Sequence, residues 1–135
     1  MSYVVEDNKC LTPVEDVLTA EWIDLPLASG VASIAASGAR PQYRKIGDRV
    51  EIRGTVALDY SSAGDITTVF AALPEGYRPP TQLYKSIPLV GARVGRLHIT
   101  AAGNMNVNYI YNYSSGSMDT GTSFTWAQID IEYSV

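Results

Sequence analysis

The chain holds one cysteine and one histidine in 135 residues, and only 18% of its residues are charged. Each scarcity excludes something. Cys10 has no second cysteine to pair with, so an internal disulfide is impossible and a free thiol is expected. A structural zinc site takes about four ligands, and Cys10 with His98 falls short of that number. No cofactor or metal is expected. The phosphate-cradling glycine loops and the Gly-x-Ser-x-Gly elbow are missing. Cys10 and His98 are remote in sequence, and no catalytic constellation emerges, so a non-enzyme is expected. A small glycan hydrolase or esterase is the enzymatic rival. Asp59 and Asp65 flank one loop, but calcium sites gather about six or more oxygens, which favours loop solubility as their role. No basic segment followed by an apolar stretch opens the chain, so no signal peptide is expected. The longest uncharged run lies between Arg96 and Asp119. It contains Asn104, Asn106, Asn108 and Asn112, too polar to enter a membrane. A net charge of −4 argues against nucleic acid as the main partner.

What is present is alternation with period two. Within residues 48–58, Val50, Ile52, Val56 and Leu58 share one parity, while Arg49, Glu51, Arg53 and Thr55 share the other. That is the pattern of a half-buried antiparallel strand. Gly54 in its middle points to a bulge or the close approach of another backbone. Gly47-Asp48 reads as a tight turn joining the arms of a hairpin. Further strands are expected over residues 22–27, 66–73, 83–90, 94–100, 105–113 and 124–133. Pro88 argues for an edge or a break in the 83–90 run. The last strand changes apolar parity after Trp126, as a bulge near Ala127-Gln128 would produce, and Trp126 is expected to fill the gap as scaffold. Only residues 13–18 read as a helix, with Thr12 as its cap and Pro13 in the first turn. Many short strands between Gly, Pro, Ser and Asn turns give an all-β class, a sandwich or barrel. An N-terminal segment over residues 1–20 precedes one domain over 21–135. Nine of the ten basic residues lie from Arg40 to Arg96 and none follows. Such asymmetry either steers a subunit against a neighbour or simply reflects strands with short, charge-poor loops.

One string is recognisable. Gln42-Tyr43-Arg44-Lys45-Ile46-Gly47-Asp48-Arg49-Val50-Glu51-Ile52-Arg53-Gly54-Thr55-Val56 is followed by Leu73-Pro74-Glu75-Gly76-Tyr77-Arg78-Pro79-Pro80. Gly95-Arg96-Leu97-His98-Ile99-Thr100, Gly103 and Trp126 come after. In order and spacing these resemble the C-terminal head domain of tail proteins from phages of Gram-positive bacteria, over about residues 21–135. The resemblance implies a jelly-roll-like β-sandwich, similar to C1q and tumour-necrosis-factor heads, assembled as a homotrimer. It implies residence in the virion, in a tail or baseplate beside other virion proteins, after synthesis in the bacterial cytoplasm. It implies attachment to a host cell-surface saccharide. The alternative within that setting is a structural virion protein, a head fibre or decoration, with no specific glycan binding. The matched residues are turn and scaffold chemistry and name no site.

Two segments combine aromatic surface with hydroxyl-binding groups, the chemistry that saccharides need. One is the loop tip at Asp59-Tyr60. The other is the strand-to-loop region with Asn108, Asn112 and Tyr113. Together they are the candidate ligand site, convergent if both Tyr-Ser-Ser tips lie at one end of the sandwich. Tyr109, Tyr111 and Tyr113 share a parity opposite Asn106, Asn108 and Asn112. If the tyrosines face inward they pack in the core or on a trimer axis, and the asparagine face is open. If they face outward they form a stacking strip. A run of same-parity aromatics favours the inward arrangement.

Overall fold

The computed structural model describes residues 20–36, 38–59, 68–119 and 123–135. Every element among them is a strand. In chain order these are β1 (Ile23–Asp24), β2 (Ala32–Ile34), β3 (Gln42–Ile46), β4 (Arg49–Arg53), β5 (Thr55–Asp59) and β6 (Ala71–Ala72). Then follow β7 (Leu83–Leu89), β8 (Arg93–Ile99), β9 (Asn104–Asn112), β10 (Ser117–Asp119), β11 (Ser123–Gln128) and β12 (Ile131–Ser134). They form two antiparallel sheets, ordered β1-β3-β4-β12 and β10-β9-β8-β7-β11-β5-β2, with β6 also paired to β9. The architecture is an all-β antiparallel sandwich, one of the two classes the alternation predicts. The helix expected over residues 13–18 and Cys10 lie outside the described residues.

The Gly47-Asp48 turn joins β3 to β4 as the expected hairpin, with Ile46 opposite Arg49. The run over residues 48–58 is two strands rather than one. The chain leaves the first sheet at Arg53 and enters the second at Thr55, turning at Gly54 with φ +115°. A Cβ on Gly54 would lie 2.4 Å from the Arg40 carbonyl oxygen and 2.7 Å from Pro41 Cα, so the close approach is real. A second crossing runs beside it, from β11 through Ile129 and Asp130 to β12. Gly54 N–H donates to Asp130 Oδ1 at 2.9 Å, and Ile129 N–H donates to the Gly54 carbonyl at 3.0 Å.

Between the sheets lie Leu58, Phe70, Leu73, Leu97, Ile99, Met105, Ile110, Phe124 and Ile129, each fully buried. Burying each such side chain stabilises the fold by roughly 1.5–3 kcal/mol relative to exposure. Tyr43 meets Tyr77 edge-on at 4.9 Å, and the Tyr133 hydroxyl donates to the Tyr77 carbonyl. Burial raises the pKa of the Tyr133 phenol, which keeps that hydrogen a donor.

Further strand expectations change, and the run over residues 124–133 is likewise two strands, β11 and β12, in different sheets. Of the run over 66–73, only Ala71–Ala72 pairs among the described residues. Pro88 sits in a strand that is interior by order, yet β7 meets β11 only at Leu89 opposite Ala127. Among the described residues the β11-side flank of β7 ahead of Pro88 therefore pairs with no strand, and the missing N–H is tolerated there. The bulge in β11 falls on Thr125 and Trp126, because Phe124 pairs Leu58 while Ala127 pairs Val56. Trp126 is half-buried at that bulge, and its carbonyl accepts from Val90 N–H at 3.2 Å.

Candidate functional site

Strand β9 starts as its alternation predicts. Met105 and Val107 enter the core, and Asn106 and Asn108 point to the outer face of the larger sheet. A bulge then intervenes. Arg96 pairs Asn108 and Val94 pairs Tyr111, so Tyr109 and Ile110 together face the single residue Gly95. Tyr109 takes a left-handed φ of +51°, and Ile110 becomes the next residue to turn inward. Gly95 is the complement of this bulge. A Cβ there would meet Val107 Cγ1 at 2.8 Å, Leu89 Cδ1 at 2.9 Å and Ile110 Cγ1 at 3.3 Å.

The bulge overturns the inward arrangement of the tyrosines. Tyr109 is 61% exposed and Tyr113 66%, whereas Asn106 and Asn108 are only 7% and 6% exposed. The asparagine face is covered, because neighbouring strands lay longer side chains over it. The register places Tyr84 of β7 opposite His98 of β8, His98 opposite Asn106, and Arg96 opposite Asn108. All share one face. The Arg96 guanidinium lies 4.1 Å from the Tyr84 ring centroid and 4.4 Å from that of Tyr109, held between the two phenols. Tyr84 also stacks on His98, with centroids 4.5 Å apart and planes 19° apart.

Beneath this ridge runs a chain of hydrogen bonds. Arg96 Nε donates to Asn108 Oδ1 at 2.9 Å, and Asn108 Nδ2 donates to Asn106 Oδ1 at 2.9 Å. Asn106 Nδ2 lies 3.5 Å from His98 Nδ1, and His98 Nε2 lies 3.0 Å from Gln82 Oε1. Burial, and then the charge of Arg96, hold the His98 imidazole below its ordinary pKa, so it is neutral at pH 7. Arg96 spends one nitrogen on Asn108, and its other two carry no hydrogen bond among the described residues. The result is an aromatic surface with fixed polar groups at its centre, which suits a ligand rich in hydroxyls.

The sequence-derived candidates scatter over this sheet. Asn108 belongs to the hydrogen-bonded chain under the ridge. Asn112 is a turn residue: its Oδ1 accepts from Ser114 N–H at 2.9 Å and Ser115 N–H at 3.3 Å. Tyr113 is exposed at that turn and meets Tyr111 edge-on at 5.2 Å. Asp59 ends β5, four strands from β9 in the sheet order, which is roughly 19 Å at about 4.8 Å per strand. The structure does not bring Asp59 to Asn108 and Tyr113. Tyr60 lies outside the described residues. Gln82, Tyr84, Arg96 and His98 stand outside the sequence-derived candidates, while Asn106 and Tyr109 entered only as the two faces of the strand. The signal for them was the turn at residues 101–104, which sets His98 opposite Asn106 and Arg96 opposite Asn108. Gly95 in mid-strand marks the bulge.

The opposite sheet carries a cleft of about 340 Å³ lined by Trp22, Arg53, Lys85, Asp130 and Glu132 over Ile52 and Ile131. Its groups serve one another. Arg44 and Arg53 lie 4.2 Å and 3.9 Å from the Trp22 ring centroid, Arg44 and Arg49 pair with Glu51, and Lys85 Nζ donates to the Asp130 carbonyl. Among the described residues no three His, Cys, Asp or Glu side chains gather as a metal site, and no helix is long and apolar enough to cross a membrane. The chain matches no protein-family model, no curated protein and no solved structure.

Proposed function

We propose that this domain is the receptor-binding head of a tail or baseplate protein of a phage of Gram-positive bacteria. In this reading it assembles as a homotrimer in the virion, and the Tyr84–Arg96–Tyr109 ridge grips a host cell-surface saccharide. The virion setting rests on the sequence resemblance; the ridge supports recognition. One observation carries the ligand site. Tyr109 holds a left-handed backbone that costs an ordinary residue roughly 1–2 kcal/mol and glycine almost nothing. Its ring is largely in solvent, and its contact with Arg96 returns only about 0.5–1 kcal/mol at an exposed site. Stability alone does not favour tyrosine here, whereas recognition by an aromatic face does.

Tyr109→Gly is therefore expected to leave the melting temperature unchanged or slightly raised while abolishing adsorption to purified Gram-positive cell walls. Full adsorption by this variant would remove the ridge as the site. Each hydrogen bond to a sugar hydroxyl contributes only about 1 kcal/mol, so a single head binds weakly. Three linked heads gain avidity of roughly 10²–10⁴ without new contacts. Light scattering should accordingly report a trimer, and a stable monomer at micromolar concentration would overturn that assembly.

A further inference from the structure

The hydrogen-bonded chain beneath the ridge has a direction, and one end sets it. Arg96 Nε–H can only donate, so Asn108 must turn Oδ1 toward it and Nδ2 away. Asn108 Nδ2 then requires Asn106 to present Oδ1, which leaves Asn106 Nδ2 facing His98 Nδ1. The ring must accept at Nδ1 and carry its proton on Nε2, toward Gln82 Oε1. A proton added at Nδ1 meets an amide N–H. Turning Asn106 over would relieve that contact but would set its Nδ2 against Asn108 Nδ2. Turning Asn108 as well would set Nδ2 against Arg96 Nε. The fixed donor at the far end blocks every rearrangement.

We propose that His98 is the positioning residue of the ridge: only its neutral form completes the chain that holds Arg96 between Tyr84 and Tyr109, so saccharide affinity falls when His98 gains a proton. The affinity clause rests on the reading of the ridge as a saccharide site. Around the ring stand Tyr84 from β7, Asn106 from β9, Gln82 just before β7 and Arg96 on its own strand. Among the described residues no carboxylate acts on it to favour the cation. The sign follows. Affinity is complete while the ring is neutral and falls as pH drops through its depressed value in the folded protein.

The test compares wild type with His98→Gln, whose side-chain carbonyl can accept from Asn106 and does not titrate. Adsorption of wild type to purified Gram-positive cell walls should weaken as pH falls through the depressed His98 value, by up to about tenfold per pH unit below it, and His98→Gln should bind evenly over the same range. A flat wild-type profile, or the same slope in His98→Gln, would overturn the proposal. A second measurement needs no saccharide. In NMR spectra of the wild-type protein, the side-chain amides of Asn106 and Asn108 and the Arg96 Nε–H should shift together with the His98 titration. If they stay fixed while His98 titrates, His98 does not position Arg96. If they shift but cell walls bind at no pH, the saccharide reading fails and the positioning of Arg96 by His98 stands.

Discussion

Gly54→Val should fail to fold, and Gly54→Ala should lose roughly 3–5 kcal/mol, against a typical total of about 5–15 kcal/mol. Two costs combine. The backbone is at φ +115°, which side chains rarely adopt, and the new Cβ would press on the Arg40 carbonyl and Pro41 Cα. Neither atom is the movable end of a side chain. Moving them would disturb both crossings between the sheets, because Gly54 also bonds Asp130 and Ile129. Gly30 separates the two costs: its φ is +80° and nothing lies within 4 Å of a built Cβ. Gly30→Ala should therefore show the backbone cost alone, about 1–2 kcal/mol. Urea titrations followed by circular dichroism give both values, and equal losses at the two sites would refute the steric account.

Asn108→Leu should cost about 2–4 kcal/mol and eliminate adsorption to cell walls. The amide satisfies two partners at once, Arg96 Nε through Oδ1 and Asn106 Oδ1 through Nδ2. Leucine has similar bulk and strands both, and each unsatisfied buried group costs about 1–3 kcal/mol. The double variant Arg96→Met/Asn108→Leu removes the charge along with its acceptor. It should lose less than the sum of the single variants, since removing both partners of a bond is milder than orphaning one. Additive losses in denaturant titrations would mean that the two side chains do not act as a unit.

The sandwich was legible where the signal is local. Alternation marks β4, β5, β8 and β12, and a glycine in mid-run marked the close approach at Gly54. The parity change near Trp126 marked the bulge in β11 to within two residues. The bulge in β9 was not legible in the tyrosine pattern, because Met105, Val107, Tyr109, Tyr111 and Tyr113 keep one parity through it. A bulge belongs to the pairing of two strands, and nothing in a tyrosine announces a left-handed backbone. The spatial arrangement of the candidate site residues was illegible for the same reason. Asn108 is part of the hydrogen-bonded chain, but lies covered rather than open. Asp59 resembled a partner in composition, yet strand order places it across the sheet. Asn112 looked like a sugar contact, and its oxygen is committed to its own turn.

The paired crossings also govern the order in which the molecule can be made. The bond from Gly54 to Asp130 spans 76 residues, and β12 supplies the outer partner of β4. At a synthesis rate of about 5–20 residues per second, β4 waits roughly 4–15 seconds for that partner to leave the ribosome. Through this interval one edge of the young chain offers unpaired backbone groups to any passing strand. Arg49, Glu51 and Arg53 alternate along that strand, and their charges oppose edge-to-edge joining between nascent copies. Closure is a late, long-range event, so this domain belongs with the slower-folding β topologies, on the order of milliseconds to seconds.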